Sequence, residues 1–386
     1  MKVPIYAILF LSVILLLAGC WNYRELEQLG IVTGIGIDRG KSWGTVILTA
    51  QIIKPTAVQS GGESGKGGSG QSAPVIVKSI DGASPFDAAR NFLKETSRRL
   101  YFPHSQIIVF GREQAEQGVK HIVDFFIRDN EPRPTTQVLI AKGNAAEILK
   151  SPGEIEKVSA YEIASMLRIQ RSLSQNATVN LQEFLSSLIS KTTAAVAPMI
   201  EINPERSQNR FRLCGSAVFK EDRLIGELTE HETRGLLWVK GKVRSGVIVV
   251  RAPGGKASFE IMRSSVKIKA KINNGQPLIE LRISEVGNLD CQMSEADLSK
   301  PEMLRKLAQC KATVIRNEIE AAIAKAKRFN ADIFGFGEVF HREDPNLWRK
   351  IEPRWQTLFP QLRVTMDIRS TIPLVGLTFK PIVPQP

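Results

Sequence analysis

Few residues in this chain are spaced to do chemistry. The four histidines, His104, His121, His231 and His341, stand far apart, and none belongs to an H-E-x-x-H pair that would aim two imidazoles at zinc from one helix face. No G-x-S-x-G segment places a serine nucleophile on a strand-to-helix elbow. Asp129 and Glu131, in the charged run Ile127 to Pro134, are near enough for an acid–base pair, but Arg128 and Arg133 beside them favour both carboxylates ionised. A salt-bridged turn at a helix exit is the better reading of that run. Gly34 and Gly36 make a G-x-G, yet a dinucleotide fingerprint needs a third glycine and a helix, and here a second β-rich run follows. A carboxylate pair for glycan cleavage can assemble from distant segments, so a cell-envelope hydrolase stays open on that ground. No catalytic residue, metal ligand or bound cofactor is expected, and the ligand-binding residues, if any, are not legible. The thiol of Cys20 is the group with a defined setting.

That setting is an export signal. Lys2 supplies a short positive start, and Val3 to Leu17 is an apolar run interrupted by Pro4, Tyr6 and Ser12. It falls short of the roughly 20 apolar residues a membrane-crossing helix needs, and it ends in small residues before a cysteine. Leu17, Ala18, Gly19 and Cys20 resemble the bacterial lipobox, where a diacylglyceryl group is added to the thiol and the leader is cut away. Residues 1–19 are therefore expected to be a signal peptide, and Cys20 the acylated first residue of the mature chain. One acyl chain holds a membrane reversibly, whereas the diacylglyceryl and N-acyl chains together hold it stably. Trp21 would sit beside the lipid, at the headgroup depth an indole prefers.

Lys and Arg number 52 against 39 Asp and Glu, a net charge of +13. For an exported, lipid-anchored chain an anionic membrane surface matches that balance, and nucleic acid does not. Beyond Cys20 the thiols are Cys214, Cys291 and Cys310. Three buried, reduced thiols are expected, with a Cys291 to Cys310 pair as the alternative.

The elements that would carry these residues read as α+β. Leu29 to Asp38 and Thr45 to Ile53 form a hairpin of β-branched runs, and Ser60 to Ser72, with six glycines in thirteen residues, is a linker. Strands and helices then alternate: strand Val75 to Ile80, a helix opened by Ser84 and Pro85, strand Ser105 to Phe110, helix Glu113 to Ile127, strand Thr136 to Ala141, and helices after Asn144, Ile155 and Leu181. A second region starts near Arg210. It holds a helix boxed by Thr229 and Glu232, strands Val243 to Val250 and Ala257 to Ile261, and a hairpin pairing Val266 to Ile272 with Ile279 to Ile283. In that hairpin Lys267, Lys269 and Lys271 occupy the outer face. A long helix capped at Ser299 to Glu302 runs to Phe329, and strands Leu362 to Ile368 and Gly376 to Phe379 end the chain. The expected architecture is two to three mixed α/β domains with mostly antiparallel or mixed sheets and packed helices: residues 20–200 with a mobile loop at 60–72 and a possible sub-boundary near 150, then 205–386.

Five ordered segments also carry a family resemblance. They are CWNYRELEQLGIVTGIGID (Cys20 to Asp38), RRLYFPHSQIIVFG (Arg98 to Gly111), FIRDNEPRP (Phe126 to Pro134), ETRGLLWVKGKV (Glu232 to Val243) and DIFGFGEVFHREDPNLWRK (Asp332 to Lys350). The chain resembles the C-subunit lipoproteins of spore germinant receptors, the Ger(x)C or GerAC-like family. The resemblance implies a non-enzymatic subunit on the outer face of the spore inner membrane, acting with an A subunit and an integral B subunit in nutrient-triggered germination. Of its functional residues only Cys20 carries over, and the Gly-rich insert after Ser60 departs from the pattern. A solute-binding lipoprotein is a competing expectation, although the hairpin Ser264 to Ser284 interrupts the regular βα alternation of such lobes.

Overall fold

The computed structural model describes residues 26–42, 44–54, 74–128, 132–203, 211–273 and 276–373. Cys20 and its leader, the Gly-rich segment, Asp129, Glu131, the Asn274-Gly275 turn and the expected strand Gly376 to Phe379 lie outside the described residues.

Along the chain run β1 (Leu29–Arg39), β2 (Val46–Ile53), β3 (Val75–Gly82), α1 (Pro85–Asn91), β4 (Arg99–Tyr101), β5 (Ile107–Phe110), α2 (Arg112–Gln117), α3 (Lys120–Arg128), β6 (Gln137–Ala141), α4 (Ala145–Lys150), α5 (Ser159–Ile169) and α6 (Leu181–Leu188). Then come β7 (Val196–Ile202), β8 (Phe211–Lys220), β9 (Arg223–Leu228), α7 (Glu230–Val239), β10 (Val247–Ala252), β11 (Gly255–Asn273), β12 (Gln276–Met293), α8 (Pro301–Phe329), α9 (Phe336–Glu343), α10 (Pro345–Ile351), α11 (Trp355–Leu358) and β13 (Arg363–Thr371).

The first sheet has the order β3-β2-β1-β5-β6-β7-β8-β9, with β4 beside the start of β1. Its centre is parallel, since β1, β5, β6 and β7 pair in one direction, and both edges are antiparallel hairpins. The central strands are buried on both faces, which is why they read as unbroken apolar runs. Ile108, Phe110, Val138 and Ile140 meet Phe126 and Phe184 of α3 and α6 on one side. Ile107, Val109 and Leu139 meet Leu149 and Ile163 of α4 and α5 on the other. β8 and β9, which follow residue 205, complete this sheet.

The second sheet, β10-β11-β12-β13, is antiparallel except for the β12–β13 pair. One face packs on α8, and the other exposes Lys267, Lys269, Lys271 and Arg282. The molecule is thus an α+β protein of mixed sheets and packed helices, as expected.

Several boundaries differ from the sequence reading. The helix expected over Glu113 to Ile127 is two helices, because Gly118 at φ +135° leaves the helical region between them. The strands expected at Ala257 to Ile261 and Val266 to Ile272 are one 19-residue strand, continuous through irregular register at Ser258 and Ile261. Lys300, not Ser299, occupies the cap position of α8, while the Ser299 hydroxyl donates to Asp297 Oδ1 at 2.5 Å. All three described cysteines are unpaired, but Cys291 and Cys310 are exposed, since both lie on solvent-facing positions of β12 and α8. Cys214 is half-buried, and burial pushes its thiol up to about 11.

Candidate functional site

The segments with distinctive sequence converge on helix termini and on the junction between the two sheets. On β1, Gly34 and Gly36 face α4 and α5. A Cβ on Gly34 would lie 2.8 Å from Leu149 Cδ2, and one on Gly36 3.1 Å from Leu149 Cδ1 and 3.2 Å from Ala145 Cβ. The glycines therefore admit helices onto the sheet, which accounts for the G-x-G without any nucleotide. Asp38 follows them and accepts the N–H groups of Ala145 and Ala146 at 2.7 and 2.9 Å, so β1 caps α4. Burial raises the Asp38 carboxyl above its ordinary value, and the two amide donors pull it partly back.

The junction is built around α7. Thr229 accepts from the Glu232 N–H at 3.2 Å and Glu232 accepts from the Thr229 N–H at 2.7 Å, a closed capping box. From there Thr233, Gly235, Leu236, Leu237, Trp238 and Val239 are all buried between the first sheet and α8. Gly235 touches α8 so closely that a Cβ would fall 2.0 Å from the Glu318 carbonyl oxygen. The Glu318 carboxylate has no solvent exposure and accepts from Arg234, including Nε at 2.9 Å, and from Trp238 Nε1 at 2.8 Å. Two turns earlier on α8, Lys311 and Glu285 of β12 form a fully buried pair at 3.1 Å. Ser370 of β13 donates to Glu285 at 2.5 Å, and the ammonium lies 4.9 Å from the centre of the Phe259 ring. Burial pushes Lys311 below its ordinary value, and Glu285 opposes that shift.

The third construction is the corner before α9. Asp332 accepts the N–H groups of Gly335, Phe336 and Gly337 at 2.9, 3.1 and 2.8 Å, and its own carbonyl accepts the Ala194 N–H at 2.9 Å from the strand leading into β7. Burial pushes the Asp332 carboxyl up to about 6 against those donors. Lys240 stands near enough to act on it, and burial together with Lys242 pushes Lys240 down to about 8. Beside this corner is a cleft of about 890 Å³ whose lining includes Lys120, Lys220 and Asp222 together with Asn330, Glu352 and Gln356.

These groups hold helices and sheets to each other, and none presents a nucleophile beside a base. Among the described residues no set of three or more His, Cys, Asp or Glu is gathered for a metal ion. His121, His231 and His341 lie on α3, α7 and α9, and His104 lies in the turn between β4 and β5. Arg128 bonds Asp124 one helical turn back on α3 at 2.6 Å, while Asp129 and Glu131 of the charged turn lie outside the described residues. Asp332, Glu318 and Lys311 escaped the sequence reading. For the last two a signal exists: Lys311 and Glu318 break an otherwise apolar three-four spacing of Leu307, Ile315, Ile319, Ala322 and Ala326.

Two family models match the chain in order. One is described as the spore germination protein N-terminal domain, over residues 22–202, and the other as spore germination B3/GerAC like, C-terminal, over residues 214–376. The chain is 31% identical to spore germination protein KC of Bacillus subtilis (strain 168), over 98% of this chain and 97% of that protein. It is 26% identical to spore germination protein B3 of the same organism, over 93% and 94% of the two chains. A solved structure, the crystal structure of the GerBC protein, shares the fold with a TM-score of 0.58 and 21% identity, covering 90% of this chain and 100% of the other.

Proposed function

Because the chain belongs to the GerAC-like family of spore germination proteins, we propose that it is a non-enzymatic lipoprotein subunit of a nutrient-germinant receptor. Acyl chains on Cys20 hold it at the outer face of the spore inner membrane, where it works with the receptor's A and B subunits. The observation that carries this reading is the ordered match of both family halves over nearly the whole chain. The geometry supports it, since the distinctive segments make caps and buried ion pairs that fix one arrangement of helices and sheets. Such a body suits a part that holds partners in register.

The cleft beside Asp332 favours a second reading, a solute-binding lipoprotein, because its lining carries both charges. Calorimetry of the isolated protein against amino acids and sugars separates the two, and a micromolar ligand supports the second.

The test of the main reading is a deletion strain whose paralogous receptors are also removed. Spores should form normally, fail to lose optical density with nutrients, and respond to a trigger that bypasses receptors. A normal nutrient response refutes the assignment, and failure with both triggers points to a general envelope defect.

A further inference from the structure

We propose that the protein has a defined membrane-facing surface, formed by Phe86, Arg90, Leu93 and Lys94 beside the start of β1, which rests on anionic headgroups of the bilayer that holds its lipid anchor. The inference rests on the lipid-anchor reading of Cys20.

Two independent observations meet at this place. The first is reach. Nine residue steps separate Cys20 from Leu29, so an extended chain puts the anchor at most roughly 30 Å from the start of β1. At that start Leu29 pairs with Arg99 of β4, and Arg98 donates to the Leu29 carbonyl at 3.5 Å. The second is the surface itself. Phe86 is 49% exposed and Leu93 46%, on and just after a helix whose other side is buried through Ala88 and Phe92. Together with Arg90 and Arg99 they line a shallow hollow against Phe102. The Arg90 guanidinium lies over the Phe86 ring at 4.9 Å, and Lys94 is exposed next to Leu93.

Among the carboxylates near this surface, Asp124, which lines a hollow with Phe86, pairs with Arg128, and Glu27 before the start of β1 is exposed. Asp87 accepts the Ala83 N–H at 2.9 Å and the Asn91 amide at 3.3 Å, and Glu95 pairs with Lys78 at 2.7 Å. Exposed apolar side chains flanked by exposed cations, here Arg90 and Lys94, are the pattern that seats in the boundary between headgroups and acyl chains. The outer face of the second sheet holds more lysines, but Glu280 there binds Lys271 and Asp367 binds Arg369. It is the weaker candidate.

The test uses pure lipid vesicles, which exclude every partner protein. The lipidated chain is reconstituted in vesicles with or without phosphatidylglycerol, and lysine acetylation is read by mass spectrometry against the same protein in detergent. Lys94 should be protected several-fold on anionic vesicles and not on neutral ones, while Lys267, Lys269 and Lys271 label as in detergent. Protection of those three instead, or unchanged labelling of Lys94, overturns the proposal.

A second arm removes the anchor. A chain starting at residue 20 with Cys20→Ser is sedimented with anionic vesicles, with and without Phe86→Ser, Arg90→Ser, Leu93→Ser and Lys94→Ser. One basic residue at such a surface is worth roughly fivefold in binding, so loss of two charges should weaken it about thirtyfold. Phe86 and Leu93 are about half exposed and the Phe86 ring lies 6.2 Å from that of Phe125, so melting is measured beside binding, and Arg90→Ser with Lys94→Ser alone should give the thirtyfold loss with an unchanged melting temperature. Equal affinity overturns the proposal, and equal affinity with lost co-purification of partner subunits identifies the patch as a protein-docking surface. Detachment of the lipidated chain from vesicles would refute the anchor reading alone, because the Cys20→Ser comparison judges the patch without it.

Discussion

In the first sheet α4 and α5 approach β1 because Gly34 and Gly36 carry no side chain, so at those two positions the contact is apolar and its tolerance is steric. In the second body α8 adds buried charge to its apolar packing: Lys311 meets Glu285 on β12, and Glu318 meets Arg234 and Trp238 on α7. An apolar contact degrades gradually when it is altered. A buried ion pair does not, because removing one partner strands the other charge away from water. The second body is therefore the one whose geometry is specified by a few residues, and it is also the body that α7 ties to the first sheet.

The sharpest way to break this contrast is Lys311→Met. It leaves Glu285 buried with Ser370 as its remaining side-chain partner, and chemical denaturation should show a loss of about 3 to 5 kcal/mol. Adding Glu285→Met should recover most of that loss; if both variants are equally unstable, the pair is not what governs the site. At the junction, the effect depends on pH. Asp332 is raised from 3.8 to about 6, so protonation favours the folded state, and its contribution is present below pH 4 and lost as pH rises through about 6. Relative to Asp332→Asn, the natural protein should gain about 2 kcal/mol between pH 7 and pH 4. Parallel melting curves for the two proteins would show the difference flat with pH if the carboxyl were not buried as described.

In the first body Gly34→Ala should cost about 1 to 3 kcal/mol, since the new methyl meets Leu149 and Ala160 in a closed core. A neutral outcome would mean that α4 slides freely on β1. The smallest effect is expected at the surface. Arg128→Ala removes an exposed pair with Asp124, and thermal melting should not distinguish the variant from the natural protein.

Much of this was legible in the sequence, and the unread part has physical causes. The capping box of Thr229 and Glu232 and the alternation over Val266 to Ile283 are local patterns, and they fold as their spacing dictates. So does α8, whose apolar steps set its length. The break at Gly118 was missed because a lone glycine within a helical pattern is usually tolerated, and the Val119 N–H leaves the helix to bond the Asp222 carbonyl 103 residues on. Asp38 and Asp332 look like ordinary polar residues beside loops. Their roles depend on which helix end the fold brings to them, and spacing along the chain carries no record of that.

The central claim is membership in a receptor assembly, and affinity purification from spore inner membranes tests it most directly. A tagged chain that complements the deletion should bring down the A and B subunits in mild detergent, and should still do so with Lys311→Met and Glu285→Met combined. Recovery of the complementing chain alone, under conditions that keep the A and B subunits together, would contradict the account.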